Sequence, residues 1–199
     1  MSKKIESFLI LHNIAKGSNF GFLIRTANAF GAEVIVVGRK HFSRRGANAK
    51  TRYTRMHRFY TLQEAVEFAR ARGCQICGVE IAPDALPVTK RPFERSTAFM
   101  VGNEGEGLSP KQMEMCDKLI YVPQHGTAVS LNVNVAGAIV LHHFAQWAGF
   151  TEVPRAGHQF QGPPPNHQEF REEVSESSLC CDSDMGVSPS SQTSNQVDR

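Results

Sequence analysis

Three short stretches of this 199-residue chain gather glycine, amide side chains and single charges at spacings that suit a small-molecule site. The first is Asn19-x-Gly21-x-x-x-Arg25, continued by Asn28 and by Phe30-Gly31. On a helix, Gly21, Arg25 and Asn28 follow one another at four and three residues, which aligns them on one face, opposite an apolar stripe. Gly21 would let a substrate approach the backbone, and Arg25 would reach into a cleft. Taken alone, a surface arginine on an amphipathic helix explains the pattern as well. The second stretch is Gly102-Asn103-Glu104-Gly105-Glu106-Gly107. Glycine loops often cradle phosphate, but this one lacks the Gly-Lys-Ser/Thr of a P-loop, and the first strand–helix turn lacks the dinucleotide glycine fingerprint. Its two glutamates would repel phosphate and better suit a neutral or cationic ligand, such as a sulfonium. A plain turn is the alternative. The third runs from Tyr121-Val122-Pro123-Gln124 through Gly126 to Ser130-Leu131-Asn132-Val133. Ser130 has the chemistry of a helix cap. Asn132 would then lie in the first helical turn ahead of an apolar face, where an amide needs a specific partner.

The elements around these stretches follow from the apolar pattern. Ile5 to His12 reads as a strand, interrupted by Gly17-Ser18-Asn19. Phe20, Leu23, Ala27 and Phe30 then recur with a helical period, with Asn19 as N-cap and Gly31 as the closing glycine. Val34 to Val37 is a short, wholly apolar strand of the kind buried on both faces in parallel sheets. Thr61 and Glu64 make a capping-box pattern ahead of a helix that Gly73 ends, and Gln75 to Ile81 returns to strand. Pro83, Pro87 and Pro92 mark a connector. Ala98 to Val101 runs as a strand into the glycine loop, and Ser109-Pro110 opens a short helix. Leu119 to Val122 is a further strand, and Leu131 to Ala148 a long apolar helix. This alternation predicts an α/β fold, a mainly parallel sheet with helices on both faces. In such sheets ligands bind beyond the carboxyl ends of the strands, where all three stretches fall.

Charge divides the chain in two. Residues 1–150 carry 19 Lys/Arg against 11 Asp/Glu, a net +8, while residues 151–199 carry 3 against 8, a net −5. We therefore read 1–150 as the working domain and 151–199 as an acidic, polar tail, rich in Ser, Pro, Gln and Asn and expected to be disordered. Arg39, Lys40, Arg44, Arg45, Lys50, Arg52, Arg55 and Arg58 follow one another without an intervening acid, on what reads as a long surface loop. A solvated basic loop is the bland account; a polyanion such as RNA is the partner this density favours. No apolar run approaches the roughly 20 residues of a membrane span. The N-terminus reads as neither signal nor transit peptide, so a cytoplasmic protein is expected, with the nucleus left open. Of five cysteines, Cys74 and Cys77 form a Cys-x-x-Cys pair with no second pair at zinc spacing. They read as buried thiols, and no metal is expected.

Together, and in this order, the three stretches resemble the three motifs of the SpoU/TrmH branch of the SPOUT RNA methyltransferases. The resemblance covers about Ile5 to Gly149. Its most specific parts are Gly102-Asn103-Glu104-Gly105-x-Gly107-Leu108-Ser109 and Ser130-Leu131-Asn132-Val133. It implies a sheet whose C-terminal part is threaded into a deep trefoil knot, and S-adenosylmethionine as cofactor. It also implies a homodimer joined through the last helix and part of the first, with Ala136, Gly137 and Ala138 suited to close packing there. The implied reaction is methylation of a ribose 2′-hydroxyl in tRNA or rRNA. Arg25 would be the base candidate or orienter of that hydroxyl, and Asn19, Glu104, Ser130 and Asn132 would position the ribose and the helix ends. Val101, Gly102, Asn103, Gly107, Val122, Pro123 and Leu131 would line the cofactor site. Two departures are visible: Gln124 stands where many relatives have methionine, and Asn134 replaces a common serine. No separate N-terminal RNA-binding domain is expected, which leaves RNA to the basic loop from Arg39 to Arg58 and to the dimer partner. A non-catalytic RNA-binding module and a base methyltransferase are the competing readings.

Overall fold

The strands of this protein are too apolar to leave either face in water, and the chain covers them on both sides. A computed structural model describes residues 4–38, 54–160 and 173–174. In chain order the elements are β1 (Ser7–His12), α1 (Gly17–Ala29), β2 (Glu33–Val37), β3 (Met56–Phe59), α2 (Leu62–Ala71), β4 (Gln75–Val79) and β5 (Leu86–Pro87). After these come β6 (Thr97–Val101), α3 (Pro110–Glu114), β7 (Lys118–Tyr121), α4 (Val133–Ala148), β8 (Arg155–Ala156), β9 (Gln159–Phe160) and β10 (Glu173–Val174). Eight strands form one sheet in the order β10-β3-β2-β1-β6-β4-β7-β5, and every pairing in it is parallel. β8 and β9 form a separate antiparallel pair. The expected α/β class with a mainly parallel sheet is therefore what the chain adopts.

Period-two alternation sorts the strand side chains into two cores. Leu9 and Leu11 of β1 join Val34, Val36, Phe99 and Val101 under α1 and α4. Phe8 and Ile10 join Ile35, Val37, Ala98 and Met100 under α2. Cys74 belongs to the second core and Cys77 to the first, so the two sulfurs lie on opposite sides of the sheet and cannot chelate one ion. Burial pushes the Cys77 thiol up to about 12. α1 and α4 pack closely because Gly137 has no side chain: a Cβ there would lie 3.2 Å from Leu23 of α1. Gly137 thus serves contact within the chain rather than only a partner's approach.

Several local readings hold. Gly31, at φ +70, ends α1, with the amides of Gly31 and Ala32 donating to the carbonyls of Asn28 and Ala27. Thr61 and Glu64 form a complete capping box, as do Ser109 and Gln112 on either side of Pro110. Two differ. α1 begins at Gly17, earlier than expected, which places Asn19 inside the helix instead of at its cap. β3 was hidden in the basic segment because its buried residue is polar: His57 is 2% exposed and its Nε2 lies 2.6 Å from Glu33 Oε2. In the segment read as a tail, residues 151–160 and 173–174 are described, β8, β9 and β10 among them, and the rest lies outside the described residues. Among those described, no helix is long and apolar enough to cross a membrane.

Candidate functional site

The strand order reverses at β1 and β6. The chain first steps outward from β1 to β2 and β3, then crosses over to build β6, β4 and β7 on the other side. At such a switch point the connections diverge and leave a crevice at the carboxyl ends of the strands. Leu11 pairs with Val101, so β1 and β6 end side by side. The segments that leave them are tied together at once. Asn103 Nδ2 donates to the Asn13 carbonyl at 3.0 Å, and the Asn103 side-chain oxygen accepts from the Gly105 amide at 2.8 Å. Glu104 accepts from the amides of Ala15 (2.9 Å) and Lys16 (3.0 Å). Lys16, the residue that precedes α1, makes no side-chain cap. A carboxylate from 88 residues away stands at that helix end, where the dipole favours a negative charge.

Asn19 connects this carboxylate to the third stretch. Its Nδ2 donates to Glu104 Oε1 at 2.9 Å, and its Oδ1 accepts from Asn132 Nδ2 at 3.2 Å. Asn132 in turn caps α4, its side-chain oxygen accepting from the Asn134 amide at 2.9 Å. Asn132 is therefore the cap for which the pattern pointed to Ser130, and Ser130 is exposed before the helix begins. Thr26 Oγ1 donates to Asn134 Oδ1 at 2.7 Å, a second tie between α1 and α4. Partial burial pushes the Glu104 carboxyl up. The hydrogen bonds from Asn19 and from the Lys16 and Ala15 amides outweigh it and hold the group below the ordinary carboxylate value. It is an anion that three donors face.

Beside this chain of side chains lies a cavity of about 450 Å³, within the usual range of ligand sites. It spans the ends of β6, β4 and β7 and takes its roof from the segment before α4. Val101, Gly102, Asn103, Gly107, Val122 and Leu131 line it, and Pro123 does not. Glu104 and Ser130 also line it, whereas Asn19 and Asn132 stand behind Glu104. Gly102 and Gly107 close the loop on itself. A Cβ on Gly102 would lie 2.3 Å from the Gly107 carbonyl carbon, and Gly107 has φ +70.

Arg25 is exposed on α1, six residues or about 9 Å of helical rise beyond Asn19. It makes no hydrogen bond or ion pair among the described residues and is not part of the cavity wall. Gly21 is buried, so it does not share the exposed face of Arg25 and Asn28, contrary to the spacing argument. Arg39, Lys40, Arg44, Arg45, Lys50 and Arg52 lie outside the described residues. Arg55 precedes β3 and holds Glu33 in an ion pair at 3.3 Å. Among the described residues no cluster of three or more His, Cys, Asp or Glu is placed to hold a metal.

Two cavity residues escaped the motif reading. Glu80 follows β4 and accepts from the Leu108 amide at 2.6 Å and from its neighbour Ile81 at 3.0 Å. It clamps the far end of the glycine loop to the next strand. A lone acid near the end of the expected apolar strand was its only sequence signal. The other is Gln124, noticed as a departure but given no role; it lines the cavity, and its Oε1 is buried without a partner among the described residues.

The SpoU rRNA Methylase family profile matches residues 6–142. The chain is 34% identical over 142 residues, 68% of its length, to the 23S rRNA (guanosine(2553)-2'-O)-methyltransferase RlmP of Bacillus subtilis (strain 168). It is 30% identical over 138 residues, 65% of its length, to the tRNA (guanosine(18)-2'-O)-methyltransferase of Aquifex aeolicus (strain VF5). It spans 56% of the first relative and 64% of the second. Among solved structures, an AdoMet-bound rRNA methyltransferase from Sinorhizobium meliloti superposes with a TM-score of 0.64 at 26% identity. That match covers 71% of this chain and 56% of the other.

Proposed function

The chain belongs to the SpoU rRNA Methylase family, and from that premise we propose that it methylates a ribose 2′-hydroxyl of tRNA or rRNA with S-adenosylmethionine. The observation that carries the reading is the hydrogen-bonded row Asn132–Asn19–Glu104 against the wall of a 450 Å³ cavity. It joins three separate stretches at one rim of the sheet.

The residues present fit the cofactor. Three carboxylates, Glu80, Glu104 and Glu106, line the cavity and favour a cation over a phosphate. Gly102 and Gly107 bring bare backbone to the wall, and Val79, Val122 and Leu131 offer apolar surface to a flat ring. When bound, S-adenosylmethionine supplies an electrophilic methyl group. The protein's part is to place the acceptor and hold charge. Arg25, on the exposed face of α1, orients the nucleotide. A guanidinium stays protonated, so acting as a base would require a substrate phosphate beside it. Asn19, Glu104 and Asn132 fix the start of α1 against the start of α4, and Ser130 stands at the rim to meet the ribose. Most of the acceleration then comes from orientation and fixed electrostatics.

The same proposal includes the basic segment as the RNA contact, a homodimer and the C-terminal trefoil knot. The shared fold supports the knot. The dimer is supported by α4, which is apolar around most of its surface yet buries only Gly137, Val140, Leu141 and Phe144. Phe22 on α1 and Val135 on α4 are left 42% and 43% exposed. The test is transfer of tritiated methyl to bulk RNA, followed by nuclease digestion and nucleoside analysis. Label in a 2′-O-methylnucleoside supports the reading. Label in a base, or none despite RNA and cofactor binding, refutes it.

A further inference from the structure

The three carboxylates on the cavity wall are not equivalent. Glu104 has both oxygens engaged at the start of α1, Oε1 accepting from Lys16 and Asn19 and Oε2 from Ala15. Glu80 has both of its own engaged on backbone amides, Oε1 accepting from Ile81 and Oε2 from Leu108. Neither can turn toward a ligand without breaking bonds that hold the glycine loop in place. Glu106 differs. The Asn103 side-chain oxygen holds its amide at 3.3 Å, but its carboxylate makes no hydrogen bond or ion pair among the described residues. The residue lines the cavity and is exposed, so its charge is free to meet whatever enters.

The loop sets where that charge stands. The backbones of Asn103 and Gly107 bond to each other at 2.9 and 3.0 Å, which folds residues 103–107 into a closed turn. Glu104 leaves the turn toward α1, and Gly107 packs against Glu80 beyond β4. Glu106 lies in the chain between these two anchors, on the stretch that borders the cavity. Glu104 and Ser130 line the same cavity, and the proposed acceptor arrives beside them. The reacting sulfur of a methyl donor must therefore come to this loop. A sulfonium has no N–H to donate, so charge alone can recognise it. Resting on the proposed use of S-adenosylmethionine, we infer that Glu106 is a specificity-determining residue whose carboxylate faces the sulfonium of the bound cofactor and favours it over the uncharged thioether of S-adenosylhomocysteine. The two molecules differ by one methyl group and that charge, so Glu106 separates fresh donor from spent product.

The test is isothermal calorimetry on the full chain with S-adenosylmethionine and S-adenosylhomocysteine. Glu106→Gln keeps size and polarity and removes the charge. No described hydrogen bond depends on that carboxylate, so the fold is untouched. In the variant the ratio of the two affinities should shift about fivefold toward S-adenosylhomocysteine, the size of an exposed ion pair, and the shift should come from weaker binding of S-adenosylmethionine. Raising salt from about 0.01 to 1 M shortens the screening length from about 30 to 3 Å and should move the wild-type ratio the same way. An unchanged ratio in Glu106→Gln, whether neither affinity moves or both fall together, overturns the role of Glu106 and leaves the methyltransferase reading standing. A wild-type ratio that ignores salt overturns it whether or not the variant folds. A wild type that binds neither ligand overturns both readings.

Discussion

Replacing Glu104 with Gln changes one oxygen for one NH2 group and almost nothing in volume, so its cost reads the hydrogen bonds alone. Oε1 accepts from Lys16 and Asn19, and Oε2 accepts from Ala15. A glutamine has one acceptor oxygen. Its best orientation keeps the first two bonds, now uncharged, and turns an NH2 toward the Ala15 amide. Bonds to charged groups are worth about 1.5–3 kcal/mol and neutral ones about 1 kcal/mol. One lost bond and two weakened ones, discounted for a partly solvated site, come to about 2 kcal/mol. For a domain of this size that is a fall in Tm of roughly 4–8 °C at pH 7. The sign of the pH dependence follows from the depressed Glu104 value. The carboxylate's contribution is complete above the unfolded-state pKa and is lost as pH falls through the lower folded-state value. Thermal melts of wild type and Glu104→Gln, run from pH 7 down to pH 3, should therefore converge toward the acid end. Equal Tm values at pH 7, or a gap that stays constant with pH, would refute the reasoning.

Arg25→Ala removes an exposed side chain that holds nothing among the described residues. Methyl transfer should drop about 100-fold or more with Tm and cofactor Kd nearly unchanged, measured by initial rates and calorimetry. Gly102→Ala forces a Cβ into the Gly107 backbone, so it should cost about 2–3 kcal/mol in urea unfolding and weaken cofactor binding together. Glu80→Gln leaves one of the Ile81 and Leu108 amides without its acceptor. It should destabilise the chain by about 1–2 kcal/mol, and an unchanged urea midpoint would show that the clamp on the glycine loop is not needed.

Local chemistry was readable residue by residue. The capping box of Thr61 and Glu64, the helix opening at Ser109-Pro110 and the glycine that ends α1 each act within a few positions, so spacing alone reveals them. The alternation of wholly apolar strands with helical periods likewise imposes a parallel sheet covered on both faces, because neither face can meet water. Asn19, Glu104 and Asn132 stood out by residue type and motif. What they do was decided only in three dimensions, by hydrogen bonds that cross 85 and 113 residues. Asn19 looked like a cap and is a buried bridge; Ser130 looked like a cap and leaves that task to Asn132. Glu80 and Gln124 carry no spacing signal at all, since their partners are a distant backbone amide and a cavity that exists only once β4, β6 and β7 lie side by side. A sequence records which groups seek partners, but a polar group's partner is chosen by where folding brings the strand ends together.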